Sequence, residues 1–263
     1  MNAQPDARIV PRDGEPHRGV AQVTGRMANV SPRFLARMAG VIAMITTTAG
    51  FAAIVIGNLV DHHDAAATAH HILANELLYR LAAAGDGISV LYIVYTLLIY
   101  YLFRPVNRSL ALLAALFSLV GIAVGMLIAF FDVAALLILK DSASLRALTQ
   151  EQLQAIALLF LQLRAQVYAL SLVLFGAYDI LTGYLIVRST FLPRLFGVWW
   201  ANAGVGYLIN SFATILAPDF AAHLSPWILI PGLADLVIPV WLLVVGVNER
   251  RWKEQASAAG GRQ

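Results

Sequence analysis

Two aspartates fall inside long apolar stretches of this chain, where an ionisable side chain needs a reason to be. Asp179 lies in FGAYDILTGY, and Asp235 lies between Pro231 and Pro239. A carboxylate at the centre of a bilayer-crossing helix costs about 2.5–3.5 kcal/mol on insertion scales. In an irregular helix such a group can exchange a proton or a cation, which is how ion pathways use it. Pro239 also lacks the N–H that would bond the carbonyl of Asp235, so the backbone there offers a spare acceptor. The alternative is a buried acid that is hydrogen-bonded to Asn202, Asn210 or a tyrosine and fixes helix register. Gly176, Asp179 and Gly183 share one face at i, i+3 and i+7, where a neighbouring helix can approach closely. Asp86 and Asp132 sit nearer the ends of their apolar stretches, within reach of water. Asp86, between Gly85 and Gly87, has Arg80 and Arg164 as candidate partners across an outer vestibule. The candidate binding residues are therefore Asp179, Asp235, Asn202, Asp86 and Arg80.

Other chemistries find little support. Five of the six histidines, His62, His63, His70, His71 and His223, fall on the outer side. A helical metal site wants ligands at i and i+3 or i+4, whereas these clusters stand seven to nine residues apart with no carboxylate at i+3 or i+4, so no metal is expected. With no histidine mid-span, a bis-histidine haem is excluded as well. The chain has no cysteine, and it has no GxSxG, HExxH, P-loop or GxGxxG motif. The expectation is a protein without catalytic activity or cofactor.

The elements that would carry these aspartates follow from composition. Of 263 residues, 60% are hydrophobic and 13% charged, against about 45–50% and about 25% in soluble domains. Too little polar surface remains to face water. The class is an all-α polytopic membrane bundle. A span needs about 20 apolar residues, and six stretches qualify, at 38–60, 86–103, 110–131, 167–187, 195–216 and 226–247. Arg104-Pro105 stops the second, Pro193 opens the fifth, and Ser225-Pro226 opens the sixth. Residues 1–33 read as a disordered leader without a signal-peptide pattern, 34–247 as the membrane domain, and 248–263 as a charged tail.

Lysine and arginine distribution orients the bundle. Fourteen fall on the leader, the 104–108 and 188–194 hairpins and the tail; four, Arg80, Lys140, Arg146 and Arg164, fall on the other side. The positive-inside rule then puts both termini in the cytoplasm. The pI near 9.3 reflects these arginines rather than a nucleic-acid surface. Two outer segments, 64–81 and 147–166, read as amphipathic helices that lie on, or lead into, the span that follows. The first would bury Leu73, Leu77 and Leu81 and pair Glu76 with Arg80; the second would set Ile156, Phe160 and Leu163 against Gln154, Gln162 and Gln166.

The stretches DAAATAHHILANELLYRL, YYLFRPVNRSLALLAALF and GYLIVRSTFLPRLFGVWW carry a resemblance. From about residue 33 to 247 the chain resembles an uncharacterised bacterial membrane family, domain of unknown function 4386. It departs from that pattern at Ser118, where an arginine is common, and at His70-His71. The resemblance implies a multi-span bacterial inner-membrane protein and brings no activity, ligand or catalytic residue.

The functional expectation is a carrier or permeation protein for a small solute or proton, with Asp179 and Asp235 exchanging the ion. The alternative is a regulatory or assembly subunit that binds another membrane protein, or a second copy of itself, through Gly121/Gly125 and Gly176/Gly183. Lipid is the expected surrounding in both readings, and nucleic acid in neither. The two part on whether Asp179 and Asp235 meet at one cavity. Topology is checked directly: reporters fused to either terminus are expected to stay cytoplasmic, and a C-terminal reporter active only in the periplasm would overturn the six-span count.

Overall fold

A computed structural model describes residues 31–140, 145, 147–217, 220–221 and 232–260, without the side chains of 48–53. Helices account for the architecture, and no strand occurs among the described residues. Local chemistry sets most boundaries. Helix α1 (Pro32–Leu59) starts on proline, whose fixed φ suits the first helical position. Helix α2 (Ala65–Ala74) is capped by Asp64, whose Oδ1 accepts from the N–H groups of Ala66 and Ala67 at 2.9 Å each. After Asn75 come α3 (Glu76–Ile88), a 3₁₀ turn (Ser89–Leu91) and α4 (Tyr92–Phe103). Helix α5 (Arg108–Lys140) begins at Asn107, whose Oδ1 accepts from Leu110 N at 3.0 Å. Thr149 and Gln152 form a reciprocal capping box for α6 (Gln150–Arg188). Then follow α7 (Arg194–Leu216), α8 (Ala234–Val244) with Pro239 inside it, and α9 (Glu249–Gly260).

Three helical stretches among the described residues are long and apolar enough to cross a membrane: Glu76–Phe103, Arg108–Lys140 and Gln150–Arg188. They contain the expected second, third and fourth spans and mark the chain as a membrane protein. Leucines such as Leu116, Leu127 and Leu137 point outward along α5, as an apolar surface facing lipid would. The other expected spans stand differently. The first crosses side chains outside the described residues. In the fifth, α7 is 23 residues long, but its glycines, asparagines and tryptophans dilute its hydropathy. Of the sixth, residues 226–231 lie outside the described residues, and α8 is an apolar helix of only 11 residues.

Both outer segments lead into the span that follows: residues 76–81 are the start of the long Glu76–Phe103 stretch, and 150–166 are the first half of a single 39-residue helix. Their buried faces differ from expectation: Leu77 is 72% exposed, with Leu73 and Leu81 exposed too, while Ile72, Tyr79 and Ala82 are buried. On α6 the buried stripe is Leu153, Ala157, Leu161 and Arg164. Leucines were assigned inward as if water surrounded the segment; against lipid, a leucine gains little by hiding. The charged tail also folds. Asn248 Oδ1 accepts from Arg251 N at 3.1 Å, and Trp252 Nε1 donates to the carbonyl of Leu102 at 2.9 Å. That last bond uses one of the acceptors that the end of α4 leaves open.

Helix α6 is the centre of the packing, with α5 along one flank and α7 along another, while α8 packs on α1 and α1 on α3 and α4. A buried Thr96 Oγ1–Ser118 Oγ hydrogen bond of 2.6 Å ties α4 to α5. The α6–α7 contact is backbone to backbone. A methyl on Gly183 would stand 2.5 Å from the carbonyl oxygen of Gly197, and one on Gly204 would stand 2.5 Å from that of Gly176. Gly176 and Gly183 are therefore spent on α7 of the same chain. Of the second pair, Gly121 meets the ring of Phe175, whereas nothing stands within 4 Å of where a methyl on Gly125 would be. Gly183→Ala is expected to lower stability by about 1–3 kcal/mol through overpacking, seen as a lower Tm of the purified protein. Gly57→Ala, which would meet nothing within 4 Å, is expected to be neutral or stabilising by up to about 1 kcal/mol. Equal Tm values for the two variants would contradict this packing.

Candidate functional site

A cavity of about 310 Å³ lies among the helices. Each contributes a periodic face: Asp86, Ser89, Tyr92 and Tyr95 at every third residue of the α3–α4 stretch; Arg164, Tyr168, Ser171, Phe175 and Asp179 on α6; Trp200 and Tyr207, seven apart, on α7; Asp235 and Pro239, four apart, on α8. From Arg164 to Asp179 the α6 face runs fifteen residues, about 22 Å at 1.5 Å per residue. The cavity is thus elongated, with charged groups toward both ends.

Asp179 stands toward one end of the α6 face, and Asp235 joins the same wall from α8. Asp179 is 4% exposed, and its Oδ1 accepts from the indole Nε1 of Trp200 at 2.7 Å. Asp235 Oδ2 accepts from the hydroxyl of Tyr207. Both donors are neutral and both come from α7. Neither hydrogen bond involves the carboxylates' other oxygens, Asp179 Oδ2 and Asp235 Oδ1. The glycine contacts explain why Trp200 reaches its acceptor: Gly176 and Gly183 flank Asp179 on α6, and Gly197 and Gly204 flank Trp200 on α7. A methyl on Gly204 would lie 2.9 Å from Asp179 Cβ. Asp235 sits in the first turn of α8, where the positive end of the helix dipole favours a carboxylate.

The other end is an ion cluster. Arg164 is 8% exposed; its Nη2 lies 3.0 Å from Asp86 Oδ2, and its Nε lies 2.7 Å from Asp132 Oδ1. The second contact is an ion pair outside hydrogen-bond alignment, and Asp132 Oδ2 has no hydrogen bond among the described residues. Asp132, expected within reach of water, is fully buried. The hydroxyl of Tyr79 donates to its backbone carbonyl at 3.0 Å.

A family model described as Domain of unknown function (DUF4386) matches residues 38–246. The chain belongs to this family. No curated protein and no solved structure matches it. In this DUF4386 member the sequence-derived candidates separate into two groups. Asp179, Asp235 and Asp86 share the cavity wall. Arg80 does not: it pairs with Glu76 at 2.6 Å on the exposed side of α3, where Lys140 joins at 2.7 Å. Asn202 does not either: it is exposed, and its Nδ2 donates to the carbonyl of Val198 at 2.9 Å. Arg164, one of two candidate partners for Asp86, is the partner the fold uses.

Trp200 escaped the sequence reading, whereas Tyr207 is the kind of partner, a tyrosine on a buried acid, that the alternative reading of the aspartates expected. Among the described residues no three His, Cys, Asp or Glu side chains gather to hold a metal ion. His62, His63, His70 and His71 are exposed, and His223 lies outside the described residues. Removing one member of a buried ion cluster strands the others. Arg164→Met is expected to destabilise the protein by about 3–5 kcal/mol, and adding Asp132→Asn should recover part of that. Thermal unfolding of purified wild type, single and double variants checks this; a single variant as stable as wild type would show that the cluster is not held by Arg164.

Proposed function

We propose that this protein is a carrier or permeation protein for a small solute or proton in a bacterial inner membrane, without catalytic chemistry of its own. The observation that supports it is the shared cavity: Asp179 and Asp235, from different helices, line one space rather than two separate packing contacts. Each has a neutral donor holding one oxygen. That arrangement orients a carboxylate while leaving its charge uncancelled.

Mobility is available at the same place. Pro239 interrupts the hydrogen-bond ladder of α8 one turn after Asp235. A methyl on Gly40 of α1 would lie 2.7 Å from the carbonyl of Pro239, so the two backbones meet at the break. The subunit alternative is weakened, since Gly176 and Gly183 already face α7. The positive-inside asymmetry supports cytoplasmic termini.

The reading makes stability respond to what the two carboxylates bind. Asparagine keeps the shape and an acceptor but cannot exchange a proton. The Tm–pH profile of purified wild type is therefore expected to diverge from those of Asp179→Asn and Asp235→Asn, with the pH-dependent step reduced in each. Three superimposable profiles would overturn the carrier reading.

A further inference from the structure

We infer that the cavity between Asp179 and Asp86 receives a small organic cation, an ammonium compound with an apolar body, and this deepens the carrier reading on which it rests. Charge is the first ground. Arg164 is the one basic residue in the described wall, and its guanidinium is already divided between Asp86 and Asp132. No positive side chain of the wall is left to answer Asp179 or Asp235, whose hydrogen-bond partners are an indole and a phenol. An anionic solute would meet carboxylates at both ends, and beside a neutral one the two acids would have to take up protons, whereas a cation lets them stay ionised.

The walls are the second ground. Between the two ends stand Tyr92, Tyr95, Tyr168, Phe175, Trp200 and Tyr207. Tyr92 packs on Tyr95 at 4.6 Å between ring centres and edge-on against Phe175 at 5.6 Å, so three of these rings form one contiguous cluster. Aromatic faces attract cations through the ring quadrupole, most strongly where water is excluded. Rings beside carboxylates suit an ammonium head with a hydrocarbon body.

Size and ligand type separate this from other cations. The volume of about 310 Å³ sits at the small end of ligand pockets, about 300–1,000 Å³; it is too small for a lipid and far larger than a bare ion. A hard metal cation asks for a shell of about six or more oxygens at fixed short distances. Here six of the twenty lining residues are aromatic, and no three acidic or histidine ligands converge among the described residues. An oriented acid, 4% exposed and lining a wall that carries six aromatic rings, is suited to a diffuse organic charge.

The test uses the purified full-length chain in detergent and calorimetric titration with charge-matched pairs. Choline is compared with neutral 3,3-dimethylbutan-1-ol and anionic 3,3-dimethylbutanoate, and n-butylammonium with n-pentanol, at constant ionic strength. At least one cation is expected to bind saturably and about tenfold or more tighter than its neutral counterpart, with the anion weakest. Asp179→Asn and Phe175→Leu should each weaken that binding, the second without removing a carboxylate. The wild-type ligand series needs no variant, so a misfolded mutant cannot obscure it. Neutral compounds binding as tightly as both cations, or no saturable cation binding by wild type, would overturn the inference. If the inference alone fails, the Tm–pH profiles still diverge between wild type and Asn variants while no cation is preferred. If the carrier reading alone fails, those profiles coincide while a cation still binds in a Phe175-dependent way.

Discussion

The approach of α6 and α7 at two glycine pairs is the constraint on which the site depends, because it leaves no room for side chains between the backbones and so sets both distance and register. Gly176 against Gly204 and Gly183 against Gly197 hold the helices antiparallel, and the residues midway between each pair are Asp179 and Trp200. Their 2.7 Å hydrogen bond follows from that register. Tyr207, seven residues beyond Trp200, then extends along the same helix to Asp235 on α8. In hydrocarbon, apolar side chains gain little by meeting one another, so close van der Waals contact between small residues and buried hydrogen bonds do what hydrophobic burial does in water. This fold uses both at one contact.

Burying charge is the second problem that the bundle solves, and it solves it in two ways. Asp132 and Asp86 are compensated by Arg164, which keeps three ionisable groups together at one end of the cavity. Asp179 and Asp235 are held by neutral donors, which orient a carboxylate without cancelling its charge. The first arrangement secures helix positions, since any member removed strands the rest. The second puts two carboxylates on the wall of one cavity. The difference between these ends is what gives the cavity a direction along α6.

Helix identity, the apolar stretches and the candidacy of Asp179 and Asp235 were legible in the sequence, since an acid inside a long apolar run stands out on composition alone. Caps at Thr149 and Asn107 follow equally local rules. What failed were judgements about which face points where. Leu73, Leu77 and Leu81 were assigned inward because leucine hides from water, but lipid offers them an equally apolar surface. Asn202 looked like a natural partner for an acid, yet it lies on the outer face of α7 and satisfies its own donor within the helix.

Local sequence determined where helices start, how long they run, and that acids sit within them, because capping, helix propensity and apolar length act over a few residues. Tertiary structure alone decided that Asp179 takes Trp200, that Asp235 takes Tyr207, and that Arg164 gathers Asp86 and Asp132. These partners stand 21, 28, 78 and 32 positions apart along the chain, and each pairing depends on helix rotation and register. Those are fixed by backbone contact at glycines and by where the exposed faces meet their surroundings. A residue's type does not reveal either one.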